Sequence, residues 1–215
     1  MYKLDIGYTQ LYKDFIYTLT EMYGVIGWAL ILDKHSKKKK FRCPAVYKNY
    51  PIISLDYTFS RYIYDSIDVS KMNTSNVISM NYTFISSNIE SIDITKLNTS
   101  KVKYMKGTFC DCQKLKEVKL NGIDTSNIIS MKDLFSGDFL LKSVDMSELN
   151  LRKLKSAINM FSSCSNIDSI KLPNKPINYI NNVAGMFSYC SILKELDISY
   201  MKMNKVKNVI SVAID

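Results

Sequence analysis

Five cysteines, a single histidine and a run of lysines are the groups in this 215-residue chain with the most chemistry to offer. Nucleophilic catalysis needs a base beside the nucleophile, and His35 stands in the lysine-rich stretch "KHSKKKKFR", where nothing suggests an orienting carboxylate. Cys110 and Cys112 form a Cys-X-Cys pair, but no second pair and no histidine stands at metal-ligand spacing, so zinc is not expected. Cys112, Cys164 and Cys190 each follow a phenylalanine by three residues, and Asp138 holds the same place between the first two. Small buried side chains of a repeat explain that column. Seven glycines supply no phosphate-cradling loop. Carboxylates recur at regular intervals, yet a flat exposed sheet offers no desolvated pocket to push their pKa values apart. No catalytic residue, metal or cofactor is expected, and the chain does not read as an enzyme.

Those residues sit on elements that repeat. The phrases "MNTSNVISMNYTF", "LNTSKVKYMKGTF" and "IDTSNIISMKDLF" end on phenylalanines, and the column Phe59, Phe84, Phe109, Phe135, Phe161, Phe187 keeps spacings of 25, 25, 26, 26 and 26. A branched column keeps the same beat: Val77, Val102, Ile128, Leu154, Ile180, Val206. So do the pairs that start at Ile67, Ile92, Val118, Val144, Ile170 and Leu196, each with one polar residue between two apolar ones. Period-2 alternation is the mark of a short strand with one buried face. Constant spacing, too short for a full crossover helix, makes the strands a parallel ladder in a coiled solenoid. The Asn/Asp-Thr-Ser triplets at 73–75, 98–100 and 124–126 suit a turn whose side chains bond nearby backbone groups.

"DTSNIISMKDLFSG" followed by "LLKSVDMSEL", with the variant "MFSSCSNIDSIKL", resembles the BspA-like bacterial surface-protein repeats, a divergent branch of the leucine-rich repeats. The resemblance covers roughly Ile53 to the C-terminus. It implies a right-handed parallel β solenoid and a binding module, since members are mostly secreted or lipid-anchored adhesins that bind other proteins through the solenoid surface. It carries over no active-site residues.

The expected organisation is residues 1–52 as a non-repeating α/β cap and 53–215 as six turns. From Thr9 to Tyr23, Leu11, Phe15, Leu19 and Met22 fall on one helical face, so the cap is expected to open with an amphipathic helix. "VIGWALIL" and "FRCPAVY" then read as two strands of a hairpin flanking a basic turn. At the other end the next phenylalanine position is Ala213, so the last turn either caps itself or is covered by another subunit.

Net charge is +9, and six of those nine charges fall between Asp33 and Tyr50. An acidic protein surface or a nucleic acid is therefore a reasonable partner. Three candidate surfaces follow. One is the basic run Lys37, Lys38, Lys39, Lys40 and Arg42. The second is the outward row of the strand ladder, Asp68, Asp93, Lys119, Asp145, Lys171 and Asp197, whose alternation can also neutralise itself. The third is a lysine row, Lys101, Lys103, Lys106, Lys153, Lys155, Lys205 and Lys207, which a solvated edge explains equally well. Ten of fifteen tyrosines lie in the first 64 residues and suit either the cap or a partner site.

The opening "MYKLDIGYTQLYKDF", broken by Asp5, Gln10 and Asp14, does not read as a secretory signal. The apolar run Met22 to Leu32 is far short of the roughly 20 residues a bilayer span needs. An odd number of cysteines suggests reduced thiols in a cytosol. The function expected is a soluble, intracellular protein-binding module; its sharper form is an inhibitor or effector docking on a nucleic-acid-handling complex, for example a phage-type anti-defence or anti-CRISPR protein. The alternatives are a surface adhesin of the BspA-like type and direct nucleic-acid binding through the basic loop, with the oligomeric state open.

Overall fold

The computed structural model describes residues 5–194 and 196–202, so Lys205, Val206, Lys207 and Ala213, the last members of the expected rows, lie outside the described residues. Within them are nine strands and no helix. β1 (Thr9–Tyr12), β2 (Phe15–Met22), β3 (Val25–Leu32), β4 (Val46–Tyr47) and β5 (Tyr50–Ser54) form one sheet in the order β1-β2-β3-β5-β4. β6 (Ser91–Asp93), β7 (Glu117–Lys119), β8 (Ser143–Asp145) and β9 (Ser169–Lys171) are rungs of the repeat.

The helix expected over Thr9 to Tyr23 is instead the hairpin of β1 and β2. Phe15, Tyr17 and Leu19 are buried and alternate with Ile16, Thr18 and Thr20, and β-branched and aromatic residues at period 2 favour a half-buried strand over a helix. Tyr23 and Gly24 both have positive φ, 53° and 77°, the two-residue turn that matches strand twist. The sheet closes around Trp28, which is fully buried and donates Nε1–H to the Tyr47 carbonyl at 2.6 Å. Tyr8, Tyr17, Tyr47 and Tyr50 pack their rings about it.

The expected basic hairpin also differs. β3 pairs with β5, in parallel, and "FRCPAVY" contributes only the two residues of β4. The lysine run is not a free turn. Its end forms a parallel rung, with the Asp68 N–H donating to the Lys39 carbonyl at 2.6 Å and the Phe41 N–H donating to the Asp68 carbonyl at 2.9 Å. Phe41 is buried against Phe59 and prolongs the core at that end.

Beyond this point neighbouring coils pair at up to three places, the short strands doing so only as the separate pairs β6-β7 and β8-β9. The short strands pair in parallel, Ile92 opposite Val118 and Val144 opposite Ile170. A line of single parallel bridges joins Ser54, Ser79, Tyr104, Ser130, Ser156 and Asn182. Ala29 of β3 pairs with Ser54, so the line starts in the sheet, and β5 runs across the expected junction at 52/53. At the phenylalanine turn each N–H bonds to the following coil, as from Phe84 to the Thr108 carbonyl at 2.8 Å and from Phe109 to that of Leu134 at 3.0 Å.

The six phenylalanines form one stack, with ring centroids 5.3, 5.5, 5.4, 5.4 and 5.8 Å apart from Phe59 to Phe187. All are buried. Burying one such ring is worth about 1.5–3 kcal/mol, and each stacked neighbour adds roughly 0.5–1.5 kcal/mol. Two residues before each phenylalanine the backbone turns left-handed, at Tyr57, Tyr82, Gly107, Asp133, Asn159 and Gly185. Gly107 is needed there because the Tyr82 ring lies 2.5 Å from where its Cβ would stand. The Asn/Asp-Thr-Ser triplets make the expected turns: Asn98 Oδ1 accepts the Ser100 N–H at 3.1 Å and Asp124 Oδ1 accepts that of Ser126 at 2.9 Å. Their threonines reach the next coil, Thr99 Oγ1–H donating to the Asp124 carbonyl at 2.8 Å.

Candidate functional site

Asp68, Asp93, Asp145 and Asp197 share one job: each Oδ1 accepts the backbone N–H two residues on, at 2.8 to 2.9 Å. The side-chain hydroxyls of Ser70, Thr95, Ser147 and Ser199, followed by these backbone N–H groups, hold all four carboxyls below the usual range. Lys171 Nζ stands 3.7 Å from Asp145, and Lys119 lies opposite Asp93 in register. The outward row is thus a series of strand-end turns with partial charge pairing, and no apolar side chain interrupts it to anchor a partner.

The basic run is partly committed within the chain. Lys38 Nζ pairs with Asp14 at 2.9 Å, and Lys39 Nζ with Asp65 at 2.6 Å, a bond that lowers the Asp65 pKa. Lys37, Lys40 and Arg42 remain exposed. Along the lysine row, Lys101 Nζ donates to Asn76 Oδ1 at 2.8 Å and Lys153 Nζ to Asn127 Oδ1 at 2.6 Å. Lys103 and Lys155 share that edge and are exposed, while Lys106 places its Nζ 5.2 Å above the Tyr82 ring.

The cysteine column is buried as expected, with the Sγ–H of Cys112, Cys164 and Cys190 aimed at the carbonyls of Phe84, Phe135 and Phe161 at 3.0, 3.0 and 3.2 Å. Burial raises the pKa of Cys110 and Cys43 to about 12 and that of Cys190 to about 11. Asp138 occupies the same column, fully buried; its Oδ1 accepts the Cys112 N–H at 2.8 Å and its Oδ2 has no partner. Desolvation pushes its carboxyl well above the usual range. Among the described residues no cluster of three His, Cys, Asp or Glu side chains is arranged to hold a metal.

The cleft that stands out lies on the flank of the N-terminal sheet. In the sheet Leu11, Ile16 and Ile31 are directly opposite one another on β1, β2 and β3, on the face away from the core. Ile31 then lines a cavity of about 460 Å³ together with Tyr57, Tyr62, Ile63, Tyr64, Lys34 and Arg61. Ile31, Tyr57 and Ile63 are 45%, 49% and 70% exposed, which is a high price for apolar side chains unless something covers them. Tyr57 stacks on Tyr82 at 5.0 Å, and Tyr82 lies under Lys106, so the apolar strip continues onto the next coil. None of Ile31, Arg61 and Ile63 stood out in the sequence. The available signal was local: "RYIY" puts Ile63 where the next two copies carry Asn88 and Gln113.

The family described as "Mycoplasma protein of unknown function, DUF285" matches residues 53–175 and again 115–213. The chain belongs to that family. A leucine-rich repeat protein from Eubacterium ventriosum superposes with a TM-score of 0.52 at 16% identity, over 88% of this chain and 53% of that one. This chain therefore spans about half the length of that protein. The pneumococcal vaccine antigen PcpA aligns over 94% of this chain and 72% of its own, at 12% identity and a TM-score of 0.35. No curated protein matches the chain. The Eubacterium likeness identifies the fold as leucine-rich-repeat-like. Among the described residues no helix is long and apolar enough to cross a membrane.

Proposed function

We propose that the chain is a non-enzymatic protein-binding module whose working surface is the flank of the N-terminal sheet. The observation that carries this is the gathering of Ile31, Tyr57 and Ile63, all well exposed, around one cleft on a rigid repeat scaffold. Binding energy concentrates where aromatic and aliphatic anchors enter pockets, and a stack of identical coils holds such anchors in place with little entropy left to lose. The finer description of the scaffold, a right-handed solenoid of the BspA-like branch, is what the resemblance of the repeat phrases implies. A cytosolic setting is supported by five free thiols, four of them buried.

The narrower form of this reading, an inhibitor or effector on a nucleic-acid-handling complex, is supported by the charge between Asp33 and Tyr50, less the two lysines already paired with Asp14 and Asp65. Direct nucleic-acid binding draws on the same charge, and the adhesin role draws on the family resemblance of the repeats.

The test is site-specific photocrosslinking in cells. A photoreactive phenylalanine analogue replaces Tyr57 in one variant and Lys171 of the strand ladder in another. The module reading expects one dominant protein adduct from position 57 and none from 171. Adducts from 171 alone move the site to the ladder, and adducts to nucleic acid alone overturn the reading.

A further inference from the structure

We infer that the cleft takes an apolar side chain carried on an acidic segment of the partner protein. This rests on the protein-binding reading and specifies its chemistry. Much of the lining is apolar or aromatic: Ile31, Leu32, Tyr57, Tyr62, Ile63 and Tyr64. The rim is cationic. Lys34 and Arg61 line the same cavity, are exposed, and have no ion pair among the described residues. The one carboxylate beside them, Asp33, turns its Oδ1 to the backbone N–H of His35 at 3.1 Å.

Among the described residues Lys38, Lys39, Lys116, Lys132 and Lys171 stand within 4.0 Å of a carboxylate of this chain, and Lys34 and Arg61 do not. At the cleft these two cations flank apolar walls and outnumber Asp33, in a chain of net charge +9, so the charge there favours an acidic ligand. A guanidinium recognises a carboxylate through two parallel N–H···O bonds and keeps its charge at any working pH. A second copy of this chain fits poorly, because each copy brings a net +9 and the same cationic rim. A nucleic acid would use a longer track of cations along its phosphates than the two found here. Ile63 and Tyr64 also line a second cavity of about 320 Å³ with Lys39, Asp65, Asn88, Glu90 and Lys114, so a segment anchored in the cleft can continue onto polar side chains of both signs.

The experiment pans a randomised peptide display library on the whole chain, then measures the most enriched peptide by fluorescence anisotropy. Variants are Arg61→Glu, Lys34→Glu and Ile63→Asp, each checked for the wild-type melting temperature. A single-stranded oligonucleotide is the second probe. Enriched peptides should carry a large apolar residue flanked by Asp or Glu, and affinity should fall about tenfold or more in Arg61→Glu. It should also fall when the peptide acids become amides, and binding should vanish in Ile63→Asp. Enrichment of neutral or basic peptides, no enrichment, equal binding to Arg61→Glu, or binding of the oligonucleotide alone each overturns the inference. If position 57 still crosslinks to one protein while no acidic preference is found, only the chemistry fails and the module reading stands.

Discussion

Phe84 and Phe109 lie face to face with ring centroids 5.5 Å apart and planes 3° from parallel, although 25 residues of chain separate them. The same geometry from Phe59 to Phe187 makes the stack the spine of the protein. In a quasi-one-dimensional fold each coil touches only its neighbours, so damage in the middle removes two interfaces and damage at an end removes one.

Replacing Phe109, which is fully buried in mid-stack, by Ala should cost about 3–5 kcal/mol. Urea unfolding followed by far-ultraviolet circular dichroism measures it. A loss under roughly 1 kcal/mol would mean that the stack is not the main source of cohesion.

Thr99 is buried and its hydroxyl reaches the Asp124 carbonyl of the next coil. Thr99→Val keeps the shape and removes the donor, so stability should fall by about 1–3 kcal/mol. Replacement of the half-buried neighbour Ser100, whose Oγ–H bonds to Asn98 within its own turn, should change it by no more than about 0.5 kcal/mol. Equal effects at the two positions would contradict the inter-coil role.

Burial pushes the Asp138 carboxyl well above its usual range, which favours the protonated form in the folded chain, and its Oδ2 has no partner. In the unfolded chain it ionises near 4. A carboxyl whose folded pKa is raised favours the folded state most below the unfolded value. That advantage is lost as pH climbs towards the folded value. Asp138→Cys, which matches Cys112, Cys164 and Cys190 in the same column, should therefore gain stability over wild type as pH rises from about 4 to 8. Taking the variant-minus-wild-type difference removes the opposite trend of Asp93, Asp124 and Asp145, whose lowered pKa values cost stability in acid. A difference that is flat with pH would show that Asp138 is ionised in the fold.

The thiols should be inert while the chain is folded, since burial lifts Cys43 and Cys110 to about 12 and Cys190 to about 11. Thiolate is the reactive form. With a disulfide reagent at mildly alkaline pH, modification should be slow in buffer and fast in urea, and the half-exposed Cys110 should lead. Rapid reaction of Cys112 or Cys164 in buffer would mean that the column opens readily.

Much of the architecture could be read before any coordinates. The phenylalanine column, the alternating strand pairs and the Asn/Asp-Thr-Ser turns are local or strictly periodic, and periodic burial needs no knowledge of distant contacts. The N-terminal region was misread for a related reason. Leu11, Phe15 and Leu19 sit four apart, which suits a helix face, while Phe15, Tyr17 and Leu19 also suit a strand face. Only pairing with β3 decides between them, because a strand gains its hydrogen bonds from a neighbour that local spacing cannot reveal.

Periodicity along the chain is enough to show that coils of 25 and 26 residues stack, which columns face inwards, and where each coil turns. Long-range pairing brings the chain into the ladder early, through Ala29 against Ser54 and Lys40 against Asp68. The same packing leaves Asp138 Oδ2 buried without a partner and brings Ile31, Tyr57 and Ile63 around one cleft. Repetition writes nearest-neighbour contacts into the sequence because every coil sees the same neighbour. The end of a repeat has no preceding copy to read from, so its contacts depend on how one particular sheet folds over it.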